Sequence, residues 1–235
     1  KSVNTADLKS AVERFAGSSP ARGTKNMVKL QWVTPDADKM IAYLARVSNP
    51  KATPDDPSEK LIAYLMKHKH WSPFEMANMC VEINTSRDIA RQILRHRSFS
   101  FQEFSQRYAE VTEWCPPREA RLQDTKNRQN SLTTSDVDLK TWWEQAQKHI
   151  MGTIGSLYQE ALSRGLAKEV ARSILPEGLT PTKMYMNGSI RSWLTYFGTR
   201  IGHGTQKEHH FLAQQLLGIF EKELPLTAKA WHEMD

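Results

Sequence analysis

The chain has 235 residues with 32 Lys+Arg against 26 Asp+Glu, a formal net charge of +6, and 39% of it is hydrophobic. Such a length makes one large domain or two small ones, and no apolar run approaches the roughly 18–20 residues of a spanning helix, so a membrane protein is argued against. Cys80 and Cys115 cannot build a disulfide framework and lack metal-ligand spacing, which suits a reducing cytoplasm.

In chain order, residues 1–26 are polar and punctuated by Gly17, Pro20 and Gly23, and read as a loosely held arm. The opening Lys1 to Thr5 has no apolar core, so no secretory signal is expected. Residues 27–235 are expected to form a single domain, the one that carries whatever chemistry the chain performs. Met27 to Thr34 alternates as a strand does. Asp36 is placed to cap a helix from Lys39 to Val47, and Ser58 and Glu59 open a second helix that ends at His68-Lys69-His70. Trp71 to Phe74 reads as a turn, Met76 to Thr85 as a strand, and Asp88 to His96 as a helix. Residues 118–136 are polar and read as an exposed loop. Asp138 to Ser163 is a long helix weakened at Gly152 and Gly155, and Lys168 to Leu175 a shorter one stopped by Pro176. Thr182 to Met186 reads as a strand, followed by helices near 190–200 and 206–223. Strands and helices mix without regular βαβ alternation, so the fold class expected is α+β, helices around a small antiparallel or mixed sheet.

No Gly-rich dinucleotide fingerprint, P-loop or nucleophile elbow is present. His209-His210 reads as a solvated doublet. Cys115 is the one plausible nucleophile, but a thiol without local help titrates near pH 8.5, and Cys80 alternates into an expected strand.

The chemistry concentrates between Gln92 and Tyr108. Just overlapping it, residues 87–107 carry Arg87, Arg91, Arg95, Arg97 and Arg107 with only Asp88 and Glu103 as acids. Guanidinium is suited to a bidentate grip on phosphate. Arg95-His96-Arg97 could by itself be no more than a favourable helix end. Glu103, Ser105, Gln106 and Arg107 add an acceptor, a hydroxyl, an amide and a further cation, a set able to read a nucleotide. The aromatic residues Phe99, Phe101, Phe104 and Tyr108 leave a second possibility, a basic nucleic-acid-binding protein that stacks bases; a methyltransferase using the Cys115 thiol is a third.

Arg95-His96-Arg97 followed by Ser105, with Glu103 and Arg107-Tyr108, resembles the signature of the flavin-dependent thymidylate synthases. His70-Trp71-Ser72-Pro73-Phe74-Glu75 is similar to that family's flavin-reaching turn, and Ala171-Arg172 with Leu175-Pro176 to its Ala-Arg-x-x-Leu-Pro segment. Asn187 to Trp193, Arg200, Gln206 and Glu208 follow in the family's order, so the resemblance spans about residues 28–215.

The resemblance implies an enzyme that methylates dUMP to dTMP, with 5,10-methylenetetrahydrofolate as one-carbon donor and FAD, reduced by NADPH, as hydride source. No cysteine nucleophile and no metal would be involved. It implies Arg200 as the cation that activates the uracil ring. Gln92, Arg95, Glu103, Ser105, Gln106, Arg107 and Arg172 would join it in binding dUMP. His70, Ser72, Arg95, His96, Arg97, Glu103, Ser189, Ile190, Arg191 and Thr195 would bind FAD. It also implies a cytoplasmic homotetramer with FAD between subunits, binding neither nucleic acid nor membrane.

Overall fold

The computed structural model describes residues 27–202 and 204–234; the arm expected over 1–26 lies outside them. The described chain is α+β. It divides into two compact units, one of residues 27–83, 93–102 and 184–234, the other of Asn84–Gln92 and Glu103–Lys183. A four-stranded sheet has the order β1-β2-β6-β3, from β1 (Val28–Val33), β2 (Asn78–Ser86), β6 (Pro181–Ser189) and β3 (Phe99–Glu103).

In the first unit β1 pairs antiparallel with β2, Val28 opposite Ile83 and Leu30 opposite Val81. The register then slips between Leu30 and Trp32, the mark of a bulge. The period of two turns Met79, Val81 and Ile83 inward, and all three are buried. Around them lie α1 (Ala37–Ala45), α2 (Glu59–Lys67), α6 (Ile190–Arg200), α7 (Lys207–Glu223) and α8 (Pro225–His232). Trp193 of α6 is fully buried, and its indole N–H donates to the Met79 carbonyl over 3.0 Å.

Asp36 does not cap α1 with its side chain. It takes a left-handed backbone at φ 48°, and its carbonyl accepts from the Met40 N–H. The carboxylate with a capping role is Asp38, buried on α1, which accepts from the N–H groups of Leu226 and Thr227 at 2.8 and 3.1 Å. It thereby holds the first turn of α8, a helix not foreseen from the sequence. At the end of α2, Lys69 adopts φ 56° and the His70 N–H returns to the Leu65 carbonyl at 2.8 Å, the closing pattern that usually recruits glycine.

The second unit holds most of α3 (Arg87–Ile93), the hairpin β4 (Arg121–Gln123) and β5 (Ser131–Thr133), α4 (Val137–Ser163) and α5 (Lys168–Ala171). The stretch 118–136, expected as an exposed loop, therefore carries a short antiparallel pair, with Leu122 and Leu132 half exposed. Asp136 caps α4 by accepting from the Leu139 N–H at 2.9 Å. The helix runs unbroken through Gly152 and Gly155, both of which are buried. Lys168 to Leu175 is only one turn of α-helix, followed by a 3₁₀ turn at Arg172–Ile174.

Candidate active site

Helix α3 stops at Ile93, so Arg95-His96-Arg97 stands in the turn between α3 and β3 and not on the helix. The helix expected over Asp88 to His96 therefore ends at Ile93, short of His96. Phe99–Glu103 is strand β3, and its alternation of aromatic and polar residues is a period-of-two signal.

Within the first unit, the turn places His96 against α6. The Arg200 Nε–H donates to His96 Nε2 over 2.8 Å. Arginine can only donate, so that ring nitrogen keeps its lone pair and the imidazole is neutral. Its pKa is pulled down to about 4, by burial first and then by the charges of Arg200 and Arg95. Among the described residues no carboxylate is in ion-pair reach of Arg200. Its positive charge is fixed in direction without being neutralised.

The other flavin candidates of this unit are distributed along α6, in the connection between α2 and β2, and in the turn before β3. Ser189 caps α6, its hydroxyl accepting from the Ser192 N–H at 3.3 Å. Ile190 is buried, and its N–H donates to Ala77. Arg191 and Thr195, one turn apart, are exposed, and Arg191 pairs with Glu75. His70 and Ser72 are exposed on either side of Trp71, and Arg95 and Arg97 are exposed as well. Arg191 and Thr195 line a cavity of about 280 Å³ with Trp71, Leu194, Trp231 and Met234. Two indoles and a guanidinium suit a planar ring bearing phosphates. Trp231 was missed in the sequence, because nothing local to the C-terminus marks it as part of a pocket.

In the second unit, Glu103 closes β3 as an anchored group. Its carboxylate accepts from the Thr182 hydroxyl at 3.0 Å and lies 3.5 and 3.9 Å from Arg87 and Arg91. Ser105 turns the chain, its carbonyl accepting from the N–H groups of Tyr108 and Ala109. Gln106 is 4% exposed, yet among the described residues its Nε2 has no hydrogen-bond partner. A buried amide left unpaired is costly, and a ligand acceptor would satisfy it. Arg107 is exposed and 3.3 Å from Glu169, and Arg172 is half buried at the start of its 3₁₀ turn. Gln92 is half buried near the end of α3. Cys115 has its thiol pushed up to about 12, chiefly by burial, so it is protonated at neutral pH and a poor nucleophile. Among the described residues no three metal-ligating side chains cluster, and no helix is long and apolar enough to cross a membrane.

A family model described as thymidylate synthase complementing protein matches residues 29–226. A probable flavin-dependent thymidylate synthase of Paramecium bursaria Chlorella virus 1 is 53% identical over 195 residues, covering 83% of this chain and 90% of that protein. The chain belongs to the flavin-dependent thymidylate synthases. The family's enzyme from Synechocystis is 52% identical over 193 residues, covering 81% of this chain and 87% of that one. Among solved structures, the UMP/dUMP methylase PolB from Streptomyces cacaoi, bound with 5-Br UMP, superposes with a TM-score of 0.78 at 25% identity. That match covers 88% of this chain and 93% of PolB. Family membership gives the Arg200–His96 contact a chemical setting: an enzyme that must make a pyrimidine carbon nucleophilic.

Proposed function

We propose that this flavin-dependent thymidylate synthase converts dUMP to dTMP, with 5,10-methylenetetrahydrofolate as one-carbon donor and NADPH as reductant, as a cytoplasmic homotetramer. The observation that carries the reading is the Arg200 guanidinium, held by a neutral imidazole and given no carboxylate among the described residues. Facing the N3/O4 edge of uracil, it would stabilise the ring as its negative charge builds toward C5. Arginine stays protonated above pH 12, so its part is electrostatic and not that of a base.

Arg107 and Arg172 would hold the nucleotide phosphate, with Arg95, Ser105 and Gln92 completing the contacts to dUMP. The unpaired Nε2 of buried Gln106 would donate to an acceptor of the same nucleotide. Glu103, fixed by Thr182 and two arginines, would keep the loop after β3 in place. FAD, when bound, supplies the hydride. His70, Ser72, Arg95, His96, Arg97, Ser189, Ile190, Arg191 and Thr195 would hold it, with the cavity between Trp71 and Trp231 suited to its planar, phosphate-bearing parts.

The tetramer is supported by α4. Trp142, Ile150 and Leu157 are all at least 40% exposed on this helix, and their spacing puts them on one stripe, an apolar face for another subunit to cover.

The test is an NADPH-dependent dTMP assay with dUMP, FAD and methylenetetrahydrofolate, each omitted in turn. Product should vanish with any omission. A colourless protein that neither binds FAD nor forms dTMP, and instead grips oligonucleotides, would overturn the reading.

A further inference from the structure

We infer that Tyr196 and His209 form a positioning pair that fixes the Arg200 guanidinium through His96, an inference that rests on the reading of Arg200 as the cation facing uracil. The side chains make a continuous relay within one unit. His209 Nε2 and the Tyr196 hydroxyl are 3.0 Å apart. The Tyr196 ring meets the His96 ring edge-on, centroids 4.9 Å apart. His96 Nε2 takes the Arg200 Nε–H at 2.8 Å.

His209 is not the solvated half of a doublet: it is fully buried, as is Tyr196. It heads the stripe of α7 that continues through Leu212, Ala213, Leu216 and Phe220, all apolar and buried. Packing alone would favour another apolar residue there, because an imidazole must give up its hydration to enter a core. Replacing both members of a buried hydrogen-bonded pair by apolar groups of similar shape is commonly neutral or stabilising. The pair is therefore poorly explained as a device for stability.

Its geometry explains it as a device for direction. Tyr196 and Arg200 stand four residues apart on α6 and so share a face. The hydroxyl bond to α7 fixes where the Tyr196 ring sits, and that ring, with Phe99, whose ring centroid is 6.4 Å from that of His96, bounds the imidazole. A neutral acceptor chain suits the task. A carboxylate in place of His96 would hold Arg200 as well but would neutralise the charge that an anionic pyrimidine needs. Burial, assisted by the Arg200 charge, pulls the His209 pKa to about 3, so the second imidazole also adds no charge.

The test uses the full chain loaded with FAD. In Tyr196→Phe/His209→Leu we expect kcat for dTMP formation to fall roughly 10-fold, since small misplacements of a catalytic group are amplified in rate. The KM for dUMP should stay nearly constant, the visible flavin spectrum should be retained, and thermal stability at pH 7.5 should be equal or higher. His209→Gln, which keeps a partner for the Tyr196 hydroxyl, should recover most of the lost kcat. If the double variant does not fold, Tyr196→Phe alone, which deletes one oxygen, carries the same kcat test. A wild-type kcat in the folded variant overturns the positioning pair. If Arg200→Ala is inactive beside it, only the pair falls; if Arg200→Ala turns over normally, the reading of Arg200 falls with it.

Discussion

Arg200 is tied to His96 through a nitrogen that cannot carry a proton, and the same imidazole lies against Tyr196, whose hydroxyl meets His209. Both histidines are therefore held neutral in the folded protein, with pKa values drawn down to about 4 and about 3. In the unfolded chain each titrates near 6.5. The unfolded state thus binds more protons between these values, and stability falls with pH from about 6.5 toward 4 for His96 and toward 3 for His209. Urea midpoints at pH 7.5 and 4.5 should show the loss. The variant Tyr196→Phe/His209→Leu, lacking one of the two groups, should lose less than the wild type by on the order of 2 kcal/mol. Equal losses would mean that His209 is not buried neutral.

Arg200→Ala removes the cation but leaves the helix that carries it, since Arg200 is the last residue of α6. Turnover should fall by about 10²-fold or more, the size seen when one electrostatic stabiliser is deleted. The flavin spectrum should remain measurable. Arg200→Lys should restore little, because a lysine ammonium lacks the planar array that reaches His96 and a ligand together. Single-turnover dTMP formation and a visible spectrum of each variant decide the matter.

Cys115 offers a contrast. A thiol near 12 leaves a thiolate fraction on the order of one in 10,000 at pH 8. Cys115→Ala, and likewise Cys80→Ala, whose thiol burial also pushes upward, should retain dTMP formation. Complete loss in either, or a trapped adduct between a thiol and the pyrimidine, would restore sulfur chemistry to the mechanism.

The sequence displayed these roles unevenly, for physical reasons. Strands β1, β2 and β6 and helices α2, α4, α6 and α7 were legible from periodicity, because each has one face turned to a core. Arg95, His96, Glu103, Ser105 and Arg200 stand out as candidates by motif order alone, and their roles are for the variants to decide. His209 was not legible, since the neighbouring polar His210 hides which side of α7 is buried, and only the packing of that helix decides it. Asp38 was hidden for a similar reason: its partners Leu226 and Thr227 are nearly the whole chain away. Asp36, by contrast, looked like a cap because its residue type is right, while its left-handed backbone at φ 48° sets the side chain elsewhere.

Arg107 and Glu169 form an exposed ion pair at 3.3 Å. If Arg107 grips the dUMP phosphate, Glu169 competes with that phosphate for the same cation. Glu169→Gln should then tighten dUMP binding a few-fold at low ionic strength, and the gain should shrink as salt screens both interactions. Titration calorimetry at two salt concentrations measures it. Weaker binding in the variant would assign the pair to loop support instead.

Gly188 and Phe99 set the packing beneath His96. A Cβ added at Gly188 would come within 2.4 Å of Phe99 Cδ1, closer than any van der Waals contact allows. Phe99 has little room to yield, since its ring packs at 4.9 Å from that of Trp193 and at 6.1 Å from that of Tyr196, both fully buried. Gly188→Ala should therefore cost about 1–3 kcal/mol, the usual size of an overpacked core. Because the displaced ring also borders His96, kcat should fall along with stability. Gly188→Ala/Phe99→Leu removes the clashing ring atoms, so the double variant should be more stable than the two single losses sum to, a coupling expected only for residues in contact. Strict additivity of the two substitutions in a thermal-unfolding cycle would show that the strand shifts to make room, and that Phe99 does not transmit the strain to the imidazole.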